Sequence, residues 1–395
     1  MFRARSCALV PLALALLACP VEQPQPTPQP QSAEAKQGRE IEIRKQRCID
    51  ELVEDVDVRY QPLLRALCAE SIDQGIPGVA VAVVERDGDQ LKLVHHTERG
   101  LACSTTDAPV DASTGFRVGS ISKIFTAALA LGLVAERGDL ELTGPVVGRI
   151  DGAVLPESLA DPSLAALLGH TSGLDEISPE AVVADNGDWR RGLTALPLDA
   201  TAPGFHYANA NYVVVGALLV QIVGRSFEDL LRERIAEPLA LGSVTSDPAQ
   251  AVARGAACGH FAEDQDRHPV SPLEDLDFMP GDPSWLRPTG GVMASAEDLA
   301  RFALMLGTPA LPESAAMLEP GEPVPEGRGR DERYGLGLRS WRLGDYGRVY
   351  GHSGDNGSSH AELVFVPGKR AVVVLANLGV EMPATRAAAM MLLID

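Results

Sequence analysis

The chain has 395 residues and a formal net charge of −20, with 45 % hydrophobic and 22 % charged residues. These proportions predict a sizeable packed core, in one large domain or two ordinary ones. The acidic balance argues against a nucleic-acid-binding protein, because such a protein needs a basic face to neutralise phosphate.

The start of the chain is expected to lie outside the folded domain. Arg3 and Arg5 precede the run "CALVPLALALLAC", which has the charged, apolar and small-residue regions of a secretory signal and is too short for a comfortable membrane span. After Cys19, residues 20–32 form a Pro/Gln tract that stays extended. We expect a signal peptide over 1–18, a tether over 19–38 and one domain over 39–395.

The first part of that domain combines helix and hairpin signals. An amphipathic helical pattern runs from about Glu40 to Gln74, and the glycines of "GIPG" end it. Two apolar runs then flank the turn signal Asp87-Gly88, which predicts a β-hairpin. The next long helix is expected to begin at or near Ser120 and to run to Glu136.

Helix signals and loops fill the middle of the chain, from about 140 to 330. Ser226 and Ser295 each begin a Ser-x-x-Asp capping pattern, and an apolar helix precedes the first of them. The stretch 260–291 is rich in Pro, Gly and Asp and reads as a long loop, which in a compact protein is often functional. Strand patterns return near the end, and a last helix is expected over 383–394.

Strands at both ends with helices between them predict an α/β (α+β) fold. The early hairpin and the late strands most simply share one antiparallel β-sheet flanked by helices, built from about 75–118 and 332–380. The mainly helical region at about 140–330 is then an insertion. A functional site is expected between the sheet and this insertion.

The cysteines of the domain are expected to form disulfides, because an exported protein folds in an oxidising compartment. Cys7 leaves with the signal, and the four cysteines of the domain allow three pairings. We favour Cys48 with Cys68 and Cys103 with Cys258. The alternative is buried free thiols; metal binding is disfavoured because no two of the four have C-x-x-C spacing.

The stretch "GSISK" places two serines ahead of a lysine. Residues three apart share a helix face while adjacent residues diverge by about 100°, so Ser120 can meet Lys123 and Ser122 cannot. A neutral amine in apolar surroundings can take the hydroxyl proton, which makes Ser120 a nucleophile. The motif alone is weak, since a helix cap at Ser120 with a solvated Lys123 gives the same pattern.

Further motifs strengthen this hypothesis. In order and spacing they resemble the serine β-lactamase and penicillin-binding-protein superfamily, in its class C-like branch of β-lactamases, D,D-carboxypeptidases, D-aminopeptidases and esterases. The resemblance spans roughly 75–380 and rests on "GIPGVAVAVVERDG", "FRVGSISKIFTA", "LLGHTSGL", "PGFHYANANYVVVG", "TGGVMASAEDLARF", "YGLGL" and "YGHSGDNG". It implies a β-lactamase/transpeptidase-like fold and no metal or organic cofactor.

The resemblance also implies a role for each motif residue. Ser120 would be the acylated nucleophile, with Lys123 as its proton acceptor or electrostatic support; this division of labour is disputed in the superfamily. Tyr207, of "YAN", would shuttle protons. The other roles are substrate binding by Asn209, His352, Ser353 and Gly354, and an oxyanion hole formed by the backbone N–H groups of Ser120 and Asp355.

Two positions qualify the resemblance. Much of the superfamily has a lysine where this chain has His352, and histidine is mostly neutral near pH 7, so a fixed cation for a substrate carboxylate is missing there. This weakens the case for penicillin as the natural substrate. Asp355 beside the oxyanion hole would either repel anionic substrates or face away.

The sequence therefore predicts an exported serine hydrolase that cleaves a small ester, amide or D-peptide through an acyl-enzyme. "LLAC" resembles the lipobox of bacterial lipoproteins, which implies lipidation of Cys19 and a membrane anchor in the cell envelope. Alternatives are a D,D-carboxypeptidase, a D-aminopeptidase or a true β-lactamase. From other classes, they are a penicillin-binding sensor that does not turn over and a structural lipoprotein.

Overall fold

The structure is a computed structural model of the chain. It describes residues 33–53, 56–178, 180, 182, 188–196, 204–262, 268–273, 283–325, 327 and 329–393. The expected signal peptide, Cys19 and most of the expected tether lie outside the described residues, as do parts of the long loop expected at 260–291.

Strands from both ends of the described chain come together in one sheet. In chain order the strands are β1 (Gly78–Asp87), β2 (Gln90–Cys103), β3 (Ala108–Pro109), β4 (Phe116–Arg117), β5 (Gly259–His260), β6 (Pro269–Val270), β7 (Met293–Ala294), β8 (Glu322–Pro323), β9 (Arg330–Tyr334), β10 (Arg339–Arg342), β11 (Arg348–Asp355), β12 (His360–Val366) and β13 (Arg370–Ala376). The main sheet has the order β3-β2-β1-β13-β12-β11-β10-β9-β8, and each neighbouring pair is antiparallel. The expected fold class is confirmed, since the early hairpin pairs with the late strands through β1 and β13.

Helices cover the sheet and fill the segment between its two halves. In chain order they are α1 (Ala33–Val53), α2 (Gln61–Asp73), α3 (Ser122–Glu136), α4 (Leu164–Leu168), α5 (Asn209–Val223), α6 (Phe227–Leu231), α7 (Pro248–Ala253), α8 (Arg287–Gly290), α9 (Ala296–Met305) and α10 (Pro383–Met391). Ser226 and Ser295 accept the hydrogen bonds that cap α6 and α9, which confirms both capping patterns.

The sheet is buried on both of its faces. On one face Ala80, Ala82 and Val84 of β1 belong to the larger hydrophobic core, with residues of α3, α5 and α9. On the other face Val79, Val81 and Val83 belong to a second core, with residues of α2 and α10. This double burial explains why β1 reads as a nearly continuous apolar run.

The N-terminal helical pattern differs from the expectation in two ways. The single pattern over Glu40–Gln74 is two helices, α1 and α2, and Pro62 stands at the start of the second, where its missing N–H costs nothing. Helix α1 begins at Ala33, so residues 33–38 of the expected tether are helical; the good helix formers of "AEAKQ" account for this.

Two disulfides cross-link the described chain, one over a separation of 20 residues and one over 155. Cys48–Cys68 links α1 to α2, and Cys103–Cys258 links the end of β2 to the residue before β5. These are the two pairs favoured from the sequence.

Candidate active site

Ser120 lies in a tight turn at the start of α3. Gly119–Ile121 form a 3₁₀ turn in which Gly119 has a φ of +51°, a conformation that favours glycine. A Cβ on Gly119 would lie 2.6 Å from the backbone nitrogen of Asp355, so the missing side chain lets the turn pack against the end of β11. The turn thereby brings Ser120 to the sheet.

Lys123 is completely buried, and three oxygen atoms surround its amine. Nζ lies 2.9 Å from Ser120 Oγ, 2.8 Å from Asn209 Oδ1 and 2.9 Å from the carbonyl of Thr289. The amide and carbonyl oxygens only accept hydrogen bonds, whereas the hydroxyl can also donate. An ammonium can donate a hydrogen bond to each of the three oxygen atoms. A neutral amine can donate to the Asn209 amide oxygen and the Thr289 carbonyl oxygen, and its lone pair can accept the Ser120 proton. The alternative of a solvated lysine is wrong.

Ser122, the other serine of "GSISK", has a different role. Its side chain is fully buried, and its Oγ accepts a hydrogen bond from the Val292 N–H at 3.0 Å. It ties α3 to the segment that enters β7. Helical spacing therefore selected the correct serine for contact with Lys123.

Tyr207 adds a hydroxyl to this cluster. Lys123 Nζ lies 5.0 Å from the centroid of its ring, and the ring packs 4.2 Å from that of His170. The Tyr207 hydroxyl is buried and has no hydrogen-bond partner among the described residues. Because buried hydroxyls ordinarily have a partner, this one suits a group that exchanges a proton with a bound substrate.

Asn209, the first residue of α5, is held from two sides. Its Oδ1 accepts from Lys123, while its backbone N–H and its Nδ2 donate to Glu176 Oε1 at 2.9 and 3.1 Å. Glu176 therefore supplies the cap that α5 lacks at Ala208 and fixes which way the Asn209 amide points. Glu176 was not predicted from the sequence, although it follows "LLGHTSGLD" directly.

His352 packs behind the site. It is 3 % exposed; its Nδ1 donates to the Ser353 carbonyl at 2.5 Å, and its Nε2 accepts from the Tyr334 hydroxyl at 3.1 Å. Burial, followed by the nearby Arg339, lowers the pKa of His352 well below its usual value. The imidazole is neutral with both nitrogens engaged, which leaves it no free donor for the substrate contact expected from the resemblance.

Arg339 is a cation that the sequence analysis missed. Its guanidinium carbon lies 5.7 Å from the centroid of the Tyr207 ring and 5.6 Å from that of Tyr334. Its Nη1 contacts Glu332 at 2.6 Å, and its side chain is 22 % exposed. Arg339 therefore places a positive charge beside Tyr207, where His352 supplies none.

The expected oxyanion-hole donors lie close together. A Cβ on Gly354 would stand 3.1 Å from the Ser120 nitrogen and 1.9 Å from the Val118 carbonyl oxygen, so only glycine fits there. Strand β10 pairs with residues 348–351 of β11, so that β10 does not cover residues 352–355, and the Ser120 turn packs there instead. Backbone N–H groups in such a place suit a developing oxyanion.

The Asp355 side chain has a cation beside it. Its Oδ2 lies 3.5 Å from His360 Nδ1, and its Oδ1 accepts from the Gly357 N–H at 2.6 Å. Burial acts to raise the pKa of Asp355, but these two partners outweigh it and hold the pKa below its usual value. The carboxylate is ionised and is not left uncompensated beside the site.

Comparison with known proteins agrees with this geometry. The family model described as Beta-lactamase matches residues 46–394. The chain belongs to the Beta-lactamase family. Penicillin-binding protein 4 of Amycolatopsis lactamdurans is 28 % identical over 77 % of this chain and 81 % of its own.

Two other similar proteins broaden the comparison. A D-aminopeptidase of Brucella canis is 26 % identical over 70 % of this chain, and the match spans only about half of that protein, 52 %. A class C β-lactamase of Rhodobacter sphaeroides shares the fold, with a TM-score of 0.65, 22 % identity and coverage of 84 % of this chain and 98 % of its own. The chain is thus a serine hydrolase of the Beta-lactamase family with the corresponding fold.

Proposed function

We propose that this protein is an exported serine hydrolase that cleaves small esters or amides through an acyl-enzyme on Ser120. The observation that carries the proposal is the 2.9 Å contact between Ser120 Oγ and Lys123 Nζ, in a pocket where the other two neighbours of the amine only accept hydrogen bonds. That arrangement directs a neutral amine's lone pair at the Ser120 proton.

The proposed reaction uses the residues around that contact. Lys123 takes the proton of Ser120 as Oγ attacks the acyl carbon, and the N–H groups of Ser120 and Asp355 stabilise the tetrahedral oxyanion. The Tyr207 hydroxyl, which has no hydrogen-bond partner among the described residues, gives its proton to the leaving group as the bond to the acyl carbon breaks, and the proton held by Lys123 then restores the hydroxyl. Water attacks the acyl-enzyme and gives a proton to Lys123. The bond between Ser120 Oγ and the acyl carbon then breaks, Lys123 returns the proton to Oγ, and the acid is released.

The substrate we favour carries a carboxylate near the bond that is cleaved. Arg339 supports this, because its guanidinium is partly exposed beside Tyr207, and the edge that does not pair with Glu332 can donate to a substrate carboxylate. A short peptide ending in a D-residue has such a group, and penicillin, which the name of the relative penicillin-binding protein 4 contains, carries a carboxylate as well. Simple esters and β-lactams remain the competing substrates.

A penicillin-binding sensor is the candidate from another class. It would keep Ser120 and Lys123 for acylation and would lack a working route for deacylation. The Tyr207 hydroxyl, for which the described part of the chain offers no hydrogen-bond partner, favours an enzyme, because turnover needs a proton shuttle.

Export and lipidation are part of the proposal. The motif "LLAC" at Cys19 and the Pro/Gln tract support a lipoprotein of the cell envelope. The two disulfides fit an oxidising compartment outside the cytoplasm.

The test compares the wild type with Ser120→Ala. Both are incubated with a fluorophosphonate probe, a fluorescent penicillin, a p-nitrophenyl ester and a peptide ending in D-Ala-D-Ala. We expect the wild type to be labelled at Ser120 and to release product, and Ser120→Ala to do neither. Ser113→Ala, at an exposed serine, is the matched control and should behave as the wild type.

The outcomes separate the candidate functions. Labelling without product release from any substrate would favour the sensor. Release of D-alanine would identify a carboxypeptidase, and ester cleavage alone an esterase. Equal activity in the wild type and Ser120→Ala would refute the acyl-enzyme mechanism.

A further inference from the structure

A row of charged side chains leads away from the oxyanion hole across the sheet. Asp355 at the end of β11 lies directly opposite His360 at the start of β12. His360 Nδ1 lies 3.5 Å from Asp355 Oδ2, and its Nε2 lies 3.3 Å from Glu362 Oε1. Arg386 of α10 follows, with its Nε 3.4 Å from Glu362 Oε2.

Most of this row is buried. The side chains of His360 and Glu362 are 2 % and 5 % exposed, that of Arg386 is 14 % exposed, and that of Asp355 is 47 % exposed. The His360 imidazole therefore faces two carboxylates, that of Asp355 on β11 and that of Glu362 on β12. Arg386 contacts the Glu362 carboxylate. Buried charges of this kind require a partner of opposite sign.

The charge state of His360 follows from these partners. Burial lowers the pKa of His360, but the contacts with Asp355 and Glu362 outweigh burial and raise the pKa to about 9. The imidazolium donates from Nε2 to Glu362, and its Nδ1 lies 3.5 Å from Asp355 Oδ2 in an ion pair without a hydrogen bond. Loss of the proton removes the positive charge that lies between the two carboxylates.

We propose, on the basis of the acyl-transfer function proposed above, that His360 is a positioning residue for the oxyanion hole. As a cation between Asp355 and Glu362, it holds the end of β11 so that the Asp355 N–H stays beside the Ser120 N–H. It also balances the Asp355 carboxylate, whose backbone nitrogen must stabilise a negative charge.

The end of β11 connects the His360 charge to the reacting centre. His360 contacts the side chain of Asp355, whose backbone N–H is one of the two oxyanion donors. The backbone of Asp355 also packs against Gly119 of the Ser120 turn. Since Ser120 and Asp355 supply the two donors, a small movement of β11 changes the distance between them. The effect is expected in the rate of acyl transfer more than in substrate binding.

The experiment measures p-nitrophenyl acetate hydrolysis from pH 6.5 to 10.5, with the Ser120→Ala rate subtracted at each pH. The proteins are the wild type, His360→Gln, Asp355→Asn, the double variant, and His96→Gln as the control. His96 is also a histidine 3.0 Å from a glutamate, Glu98, but its side chain is 52 % exposed. Circular dichroism checks that each variant is folded.

We expect the wild-type kcat to fall near pH 9 and His96→Gln to match it. His360→Gln should lose about tenfold in kcat at pH 7.5, with KM little changed, and should lack that fall; this is less than the hundredfold or more that removal of an oxyanion donor costs. Asp355→Asn should also lack the fall, and the double variant should be no slower than Asp355→Asn.

Three results would overturn the proposal. They are an unchanged pH profile in His360→Gln, the same alkaline fall in Asp355→Asn, and independent losses that multiply in the double variant. If His360→Gln does not fold, the profile of Asp355→Asn decides. Absence in the wild type of Ser120-dependent turnover of the ester and of the D-Ala-D-Ala peptide, and of labelling at Ser120, is a different failure: it refutes the acyl-transfer function, and this proposal with it.

Discussion

The buried His360 should make the stability of the fold depend on pH. The ordinary pKa of histidine is 6.5, and in the fold that of His360 is raised to about 9, because its contacts with Asp355 and Glu362 outweigh the opposing effect of burial. A change of one pKa unit corresponds to about 1.4 kcal/mol, so the full difference corresponds to about 3 kcal/mol of unfolding free energy. Solvent at the half-exposed Asp355 makes this an upper figure.

The direction follows from which state binds the proton more tightly. The folded protein holds the His360 proton more tightly than the unfolded chain, so the stabilisation is complete below pH 6.5 and is lost as the pH rises through about 9. His360→Gln has no such proton. Between pH 7 and 8.5 the wild type should therefore lose up to about 1.4 kcal/mol per pH unit more than this variant.

Urea unfolding with the disulfides intact, followed by tryptophan fluorescence, measures this difference. The wild type, His360→Gln and the control His96→Gln are unfolded at pH 6, 7, 8 and 9.5. The wild type and the control should converge on His360→Gln as the pH rises. A free-energy difference between the wild type and His360→Gln that stays constant from pH 6 to 9.5 would refute the reasoning.

Three further predictions concern the site and the anchor. Glu176→Gln should lower kcat by about tenfold with the fold intact in circular dichroism, because Asn209 loses an anionic partner that fixes its amide; unchanged kcat would contradict this. Arg339→Gln should raise KM at least tenfold for a carboxylate-bearing peptide and little for a neutral p-nitrophenyl ester, while Arg342→Gln, exposed on the same strand, should change neither. Cys19→Ala should move the protein from the membrane to the soluble fraction of the expressing cells; unchanged partition would argue against lipidation there.

Much of the fold could be predicted because its signals are local. The hairpin of β1 and β2 follows from two apolar runs around Asp87-Gly88, and it lies where the pattern places it. The start of α3 and the caps at Ser226 and Ser295 are equally local. The division between α1 and α2 was missed, because an amphipathic pattern continues across it and only Pro62 marks the new start.

Residues of the site that lie close together in the sequence could be predicted to be in contact, and distant ones could not. Ser120 and Lys123 share one helix face, and elementary geometry pairs them. Asn209 is 86 residues from Lys123, and only resemblance connected the two. Neither helix spacing nor resemblance pointed to Glu176 and Arg339, since tertiary packing alone decides which carboxylate and which guanidinium contact the residues around Lys123.

The register of β11 and β12 places His360 beside Asp355, a contact that the motif "YGHSGDNG" does not reveal. In antiparallel strands, residues directly opposite each other have side chains on the same face, so the pairs Asp355↔His360 and Ser353↔Glu362 place Asp355, His360 and Glu362 together. Only residues 356–359 separate the two strands, which makes Asp-x4-His-x-Glu a local pattern that a hairpin prediction could have used. The same register answers the question that Asp355 raised: its carboxylate meets an imidazolium, so an acidic residue is compatible with an oxyanion hole at its own backbone nitrogen.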